Sequence, residues 1–252
     1  MAAWYQFKKR NPRRGRLGMF IFWTFIPQCL VRPLGWLFFR LQFTGAGKIP
    51  QEGPVLLLAN HQSHMDPALL GTFNWRRGFR ALARRHDSKF WHWVLDTGYD
   101  CIWLKRDESD IGAMRAALSE LKAGRVSAMF PEGRRCDDGA IAPLKRGAFL
   151  LIKRSMAPVM PVAIEGAYDI WPRGTSFPRL RGRMLVKAAD PIPAQTLIDM
   201  GADAAMEFLY DTLEGLRMEL RETIRRRSKG VYPPPGPGDT DNRDGHRPKV
   251  VN

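Results

Sequence analysis

The sequence contains little cysteine and few acidic residues, and it has no long uninterrupted apolar run. Its three cysteines in 252 residues are too few and too scattered for a disulfide framework or a zinc site. A membrane-spanning helix needs about 20 apolar residues, and the clean run at 17–31 is shorter and contains Pro27, so a polytopic membrane protein is excluded. With 44% hydrophobic and 26% charged residues, the composition is that of a globular domain and excludes a wholly disordered chain.

The scarcity of acids leaves a strong positive charge. The chain contains 40 Lys and Arg and 25 Asp and Glu, which gives a formal charge of +15. This charge indicates an anionic partner such as nucleic acid, an anionic membrane or a phosphorylated substrate. Residues 1–16 carry six basic residues and no acid, and the uncharged run at 17–31 follows directly. Because basic residues beside an apolar run are typical of a membrane anchor, we expect membrane lipids and no nucleic acid as partners.

Residues 1–43 are therefore predicted to be a basic and aromatic membrane anchor. A signal peptide is disfavoured because Arg32 and Arg40 stand where a small-residue cleavage site would follow. We favour a pair of short helices, hinged between Pro27 and Pro33, that insert shallowly into one leaflet; a full span and a soluble amphipathic helix packed on the core remain alternatives. The basic head predicts a location at the cytoplasmic face of the membrane.

Residues 44–227 alternate short apolar runs with helical periodicity, which predicts an α/β fold: a mixed, largely parallel sheet flanked by helices. Residues 228–252, rich in Pro and Gly, are predicted to be a disordered tail. Strands are expected at 54–60, 79–84, 101–106, 125–130, 158–164 and 183–189. Helices are expected from Asp66, with that residue as an acidic cap, and at 88–96, 109–122, 147–154 and 204–227, the last with apolar residues on one side and arginines on the other.

The first candidate site motif is NHQSHMD at 60–66, between the first strand and its helix. His61 and Asp66 are five residues apart, which on a straight helix separates them by about 140°, whereas a strand–turn–helix junction lets Asp66 fold back onto His61. An imidazole held by a carboxylate is a general base that can deprotonate a hydroxyl. The alternative is that Asp66 merely caps the helix. A metal site built on His61, His64 and Asp66 lacks further ligands, and none is expected.

The second motif is FPEGRRCDDG at 130–139, just past a predicted strand. Glu132 and Gly133 allow backbone to approach a ligand, and Arg134 and Arg135 supply forked donors that match a phosphate. A solvated charged turn is the alternative.

Two further basic pairs lie at ends of predicted elements. Lys105 and Arg106 end one strand, and Lys145 precedes the helix that begins near Gly147. Anions bind favourably at helix amino termini and beside such pairs. These residues are predicted to extend a phosphate-binding cluster.

In their order along the chain, these motifs resemble those of the glycerophospholipid acyltransferase family, in particular its 1-acylglycerol-3-phosphate acyltransferases. The features that match are NHxxxxD at 60–66, a strand ending in Arg106, FPEGxR at 130–135 and PVAI at 161–164, and the resemblance spans about half of the chain. It implies that His61 is the base that activates the acceptor hydroxyl and that Asp66 orients it. It also implies that the glycerol phosphate is bound by Arg106, Glu132, Gly133 and Arg135, with Lys145 as a helper.

The chain departs from the family pattern at two positions. The usual EGTRS reads EGRRC, with Arg134 in place of Thr and Cys136 in place of Ser. The extra charge of Arg134 beside the phosphate suits a different headgroup. Cys136 invites interpretation as a thiol nucleophile, but no histidine lies near it in the sequence.

The resemblance implies transfer of a fatty acyl group from acyl-CoA or acyl carrier protein to the free hydroxyl of lysophosphatidate, giving phosphatidate in phospholipid biosynthesis. It also implies direct transfer with no covalent enzyme intermediate, no metal and no cofactor. The alternatives are acylation of another acceptor, such as glycerol 3-phosphate or another lysolipid, and a non-catalytic basic membrane-binding protein.

Overall fold

A computed structural model describes residues 25–74, 77, 79–84, 102–104 and 111–245. The basic head, the helix predicted at 88–96, and Lys105 and Arg106 lie outside the described residues. Seven helices are described, the first preceded by a π-helical turn (Pro27–Val31): α1 (Arg32–Phe39), α2 (Asp66–Phe73), α3 (Ile111–Lys122), α4 (Gly147–Ser155), α5 (Ala167–Ile170), α6 (Ala194–Met200) and α7 (Ala202–Arg227). The described strands are β1 (Gln42–Thr44), β2 (Val55–Ala59), β3 (Arg80–Arg84), β4 (Ile102–Leu104), β5 (Val126–Met129), β6 (Val159–Glu165) and β7 (Leu185–Ala188).

The strands form one sheet in the order β1-β7-β6-β2-β5-β3-β4. All neighbours are parallel except β6 and β7, which confirms the predicted mixed, largely parallel sheet. Because β7 runs against β6 and pairs Leu185 with Glu165, β7 begins where β6 ends. Its parallel neighbour β1 begins there too, with Gln42 opposite Leu185. The edge at which β2, β5 and β6 end and β1 and β7 begin is called the carboxyl edge below.

The core lies on both faces of the central strand β2. Alternate side chains of a strand point to opposite faces: Val55 and Leu57 pack toward α2, whereas Leu56 and Leu58 pack toward α3, α4 and α7. All four are fully buried, and burial of each leucine contributes about 1.5–3 kcal/mol. This two-sided burial explains why β2 reads as a continuous apolar run, and it fixes the end of β2, where the NHQSHMD motif begins.

The long helix α7 differs from its prediction. Its apolar residues pack on the sheet as expected, but Arg217 and Arg221, predicted on the solvent side, are buried. Their partner is Glu165 at the end of β6. A buried carboxylate requires compensating charge, and this explains why two arginines of a surface-like helix face point inward.

Residues 228–245, part of the segment predicted to be disordered, have defined contacts with α7. Asp239 lies 2.7 Å from Nε of Arg221 and 2.8 Å from Nη2 of Arg225, and Tyr210 donates a hydrogen bond to Asp241 over 2.8 Å. Charged side chains of α7 therefore hold these residues, and Tyr232 packs against a small apolar cluster that includes Leu220 and Ile224.

The helix α1 begins directly from the π-helical turn, near the predicted hinge, and leaves several large apolar side chains exposed, among them Leu34, Trp36, Leu37 and Phe38. Within the part of the chain that the structure describes, no helix has the length and apolar character needed to cross a bilayer.

Candidate active site

The chain turns back between β2 and α2 so that His61 meets Asp66. His61 Nδ1 lies 2.7 Å from Asp66 Oδ2. The same oxygen accepts hydrogen bonds from the backbone N–H groups of Gln62 (2.6 Å) and Ser63 (2.7 Å). The expectation that Asp66 caps the helix is wrong: Asp66 is the first residue of α2, and no side chain makes the cap hydrogen bond. Its carboxylate instead closes the loop that precedes the helix.

This arrangement fixes the tautomer of His61. Asp66 is fully buried, and Oδ2 already accepts two backbone N–H groups, so Nδ1 is the ring nitrogen that carries a hydrogen and donates a hydrogen bond to the carboxylate. Nε2 then holds the unshared electron pair. The ring stacks on Phe130 with centroids 4.0 Å apart and keeps about a fifth of its surface exposed. An oriented and accessible imidazole is what a general base requires.

Glu132 supports the histidine from the other side. Its two oxygens accept the backbone N–H groups of His61 (2.6 Å) and Ala142 (2.8 Å). Burial raises the pKa of Glu132 to about 8, against the two backbone hydrogen bonds, which lower it. This placement differs from the implied phosphate-binding role, because both oxygens of Glu132 already accept backbone N–H groups. The structure makes Glu132 a positioning residue.

A backbone hydrogen bond ties the two motifs together: the N–H of Cys136 donates to the carbonyl of His61 over 2.8 Å. The Cys136 side chain is buried, and burial, with the nearby Glu132, raises the pKa of its thiol well above the ordinary value. A thiol held in its protonated form is a poor nucleophile, so the structure gives Cys136 a packing position.

The basic residues of the second motif have unlike surroundings. The half-buried Arg135 has its Nη1 buried without a hydrogen-bond partner among the described residues, and burial and the neighbouring Arg173 lower its pKa. The Lys145 side chain lies against Gly133, where a Cβ atom would be 2.5 Å from Nζ, and Gly133 has a positive φ of 73°. Arg135 and Lys145 are thus cations open to an anionic ligand, at a turn that requires glycine.

Arg134 is more exposed and is paired with an acid. Its Nη1 lies 2.6 Å from Asp137 Oδ2, and the other oxygen of Asp137 accepts from Arg173 at 3.0 Å. Much of the extra charge that Arg134 brings to the motif is therefore compensated within the loop.

A buried polar network behind the motif was not predicted from the sequence. Gln62 donates to Glu165 Oε2 over 2.9 Å, and Glu165 lies 2.7 Å from Arg221 and 3.4 Å from Arg217. The available signal was an acid that directly follows an apolar strand, together with two arginines one helical turn apart on α7. The network holds the residue between His61 and Ser63 to the end of β6.

In the described ranges, no group of three or more His, Cys, Asp or Glu side chains has a geometry that could hold a metal ion.

Comparison with known proteins gives concordant results. The family model described as Acyltransferase matches residues 40–165. A sheep (Ovis aries) protein named 1-acyl-sn-glycerol-3-phosphate acyltransferase alpha is 29% identical over 171 residues, 63% of this chain and 56% of that protein. A Chlamydomonas reinhardtii protein named 1-acyl-sn-glycerol-3-phosphate acyltransferase is 25% identical over 181 residues, 70% of this chain and 54% of that protein. The chain thus spans about half the length of these curated relatives.

The fold is shared with a solved structure. The crystal structure of the 1-acyl-sn-glycerophosphate acyltransferase PlsC from Thermotoga maritima superimposes with a TM-score of 0.66 at 23% sequence identity, covering 86% of this chain and 88% of that one.

Proposed function

Because the chain belongs to the acyltransferase family, whose model matches half of its length, we propose that it transfers a fatty acyl group to the free hydroxyl of lysophosphatidate and forms phosphatidate. The acyl donor is acyl-CoA or acyl carrier protein. The observation that carries the proposal is the contact of 2.7 Å between His61 Nδ1 and Asp66 Oδ2, which leaves Nε2 as an accessible base. The names of the relatives support lysophosphatidate as the acceptor.

In the proposed reaction His61 Nε2 accepts the proton of the acceptor hydroxyl as the oxygen attacks the thioester carbonyl. The C–O bond forms, the C–S bond breaks through a tetrahedral intermediate, and the imidazolium returns the proton to the departing thiolate. Atoms and charges balance without a metal, a cofactor or a covalent enzyme intermediate. The negative charge of Asp66 stabilises the imidazolium that forms in between.

Phosphate binding is assigned to the open cations of the second motif. Arg135 has an unpartnered buried nitrogen, and Lys145 lies over the Gly133 turn. Together they form a forked donor and a point charge that suit a phosphomonoester. Lys105 and Arg106, outside the described residues, are proposed to join them by their positions in the sequence.

Membrane attachment is part of the proposal. Residues 1–43 are proposed as the anchor, 44–227 as the acyltransferase domain, and the cytoplasmic face as the location. The support is the exposed apolar side chains of α1, Trp36 and Leu37 among them, next in the chain to a basic, apolar segment.

The test is product identification with the purified full chain, labelled acyl-CoA or acyl carrier protein, and a panel of lysophosphatidate, glycerol 3-phosphate and other lysolipids. We expect phosphatidate, and His61→Ala to lower turnover by about 10²–10⁴-fold. The matched control is His64→Ala, an exposed histidine of the same loop, which should retain activity. A different preferred acceptor would correct the substrate, and full activity of His61→Ala would overturn the mechanism.

A further inference from the structure

The loop 172–183, between α5 and β7, carries two of the most exposed large apolar side chains of the described residues. Phe177 is 83% and Leu180 is 70% exposed. Single exposed apolar residues are common in proteins, so exposure alone indicates nothing. The charge of this loop, the hydrogen bonds that hold it and its position in the fold together indicate that the exposed side chains contact a partner.

The loop is strongly basic. It contains four arginines, at 173, 179, 181 and 183, and no acid. Arg173 is paired with Asp137 and Arg179 donates to a backbone carbonyl, but no hydrogen bond or ion pair joins Arg181 to a described residue. Arginines interleaved with apolar side chains are typical of surfaces that contact anionic lipid.

The loop is held in shape at both ends, so Phe177 and Leu180 do not fold back into the core. The Trp171 indole donates to the carbonyl of Thr175 over 3.0 Å, and the Arg179 N–H donates to the carbonyl of Ile170 over 2.9 Å. A loop fixed in this way presents its apolar side chains to a partner without first having to be ordered.

The loop lies at the carboxyl edge, between the active site and α1. At its start, the Ser63 hydroxyl donates to the carbonyl of Trp171 over 2.9 Å. Just past its end, the N–H of Met184 donates to the carbonyl of Phe39, the last residue of α1, over 2.9 Å. The exposed apolar residues of the loop and of α1 therefore belong to one edge of the sheet, the edge that also holds His61.

We propose that the loop 172–183 is a second membrane contact, in which Phe177 and Leu180 enter an anionic leaflet while the arginines bind lipid phosphates. The continuity with α1 and the placement of apolar side chains among arginines favour a lipid surface over an acidic protein. With two contacts, α1 and the loop, the sheet edge that carries the active site is held toward the bilayer rather than merely tethered near it. The inference rests on the proposed function only in that the acceptor is a lipid.

The first experiment measures binding of the full chain to phosphatidylcholine vesicles with and without phosphatidylglycerol. Phe177→Ser with Leu180→Ser should weaken binding to the anionic vesicles by about 100-fold or more, since burial of each such side chain strengthens binding by about tenfold or more. The matched control is Met156→Ser: Met156 is 53% exposed but precedes β6, at the opposite edge of the sheet, and its binding should equal that of the wild type. Equal binding by the double variant and the wild type would overturn the proposal.

The second experiment locates the contact on the protein directly. A polarity-sensitive fluorophore is attached at Phe177→Cys in a Cys29→Ser, Cys101→Ser background, with the buried Cys136 retained, and a second sample is labelled at Met156→Cys. A blue shift on anionic vesicles at position 177 but not at 156 supports the proposal. No shift at 177, or a shift only with acyl carrier protein, overturns it. Acyl transfer is assayed in parallel, so that an inactive chain whose label enters the bilayer refutes only the proposed function.

Discussion

Replacement of Asp66 by asparagine tests whether the catalytic role of Asp66 lies in its charge. One oxygen of Asp66 receives all three contacts, from His61 Nδ1 and the N–H groups of Gln62 and Ser63. The asparagine oxygen can take the same place and accept the same three donors. The loop contacts and the tautomer of His61 are then preserved while the negative charge is removed. The asparagine NH2 takes the place of Oδ1, which is buried without a hydrogen-bond partner, so some stability is lost as well.

The expected loss follows from the geometry. The 2.7 Å contact places the two charge centres of the imidazolium–carboxylate pair about 4 Å apart, where unit charges interact by about 4 kcal/mol at an effective dielectric constant of about 20. At about 1.4 kcal/mol per decade, we expect kcat to fall by about 10³-fold. The KM values of both substrates should change little, because the charge acts on the imidazolium that forms during the reaction.

The assay follows thiol release from acyl-CoA in the presence of lysophosphatidate, with urea unfolding of the same preparation. Asp203→Asn is the control, since Asp203 is 79% exposed in a surface pair with Arg146 and should leave kcat unchanged. A loss of less than about tenfold in a stably folded Asp66→Asn protein would refute the charge argument.

Three further outcomes are expected. Arg135→Ala should raise the KM for a phosphorylated acceptor by about 10–100-fold, since hydrogen bonds to charged groups contribute about 1.5–3 kcal/mol; an equal rise for acyl-CoA in steady-state kinetics would contradict this role. Glu132 should stabilise the wild type fully below its ordinary pKa of 4.5, and this stabilisation should be lost as the pH rises to about 8. The unfolding free energy should fall by about 1.4 kcal/mol per pH unit in this range, because the Glu132 side chain ionises at a lower pH in the unfolded chain. Glu132→Gln should remove this pH dependence in urea unfolding. Arg217→Met should lower the unfolding free energy by about 3–5 kcal/mol, because it leaves the buried Glu165 with one arginine fewer. The control Arg226→Met, at an exposed position of the same helix, should have little effect in the same measurement.

The central strands were predictable because a strand buried on both faces consists of a continuous run of apolar residues. Such a run can be identified in the sequence without knowing which strands pair with it. β2 and β6 each lie within one or two residues of the predicted bounds. The three-residue strand β1 was missed, since it is too short to show a pattern and forms only by pairing with β7. The antiparallel direction of β7 was equally hidden, because strand direction depends on the path of the connecting chain.

For the candidate site, the contact of His61 with Asp66 followed from a local turn and was accessible from spacing. The position of Glu132 was not, because its partners are the backbone N–H groups of His61 and Ala142. Every residue except proline has a backbone N–H group, so the sequence does not show which one a side chain will bind. The inward arginines of α7 were mispredicted for a related reason: helical periodicity identifies a charged face, but only the tertiary fold reveals Glu165 beneath it.

The network that joins Gln62 to Glu165 and α7 also sets an order of events during synthesis on the ribosome. Arg217 and Arg221 lie 52 and 56 residues after Glu165. A nascent chain that has emerged only as far as β6 already contains both sequence motifs, yet Glu165 still lacks the two cations that compensate its charge. Burial of the uncompensated carboxylate would be costly, so we expect Glu165 to stay in water until α7 has been translated. The Gln62 contact in the catalytic loop then forms late. A chain released before Arg217 would carry every motif residue and still leave Glu165, the partner of Gln62 in the catalytic loop, without its two arginines.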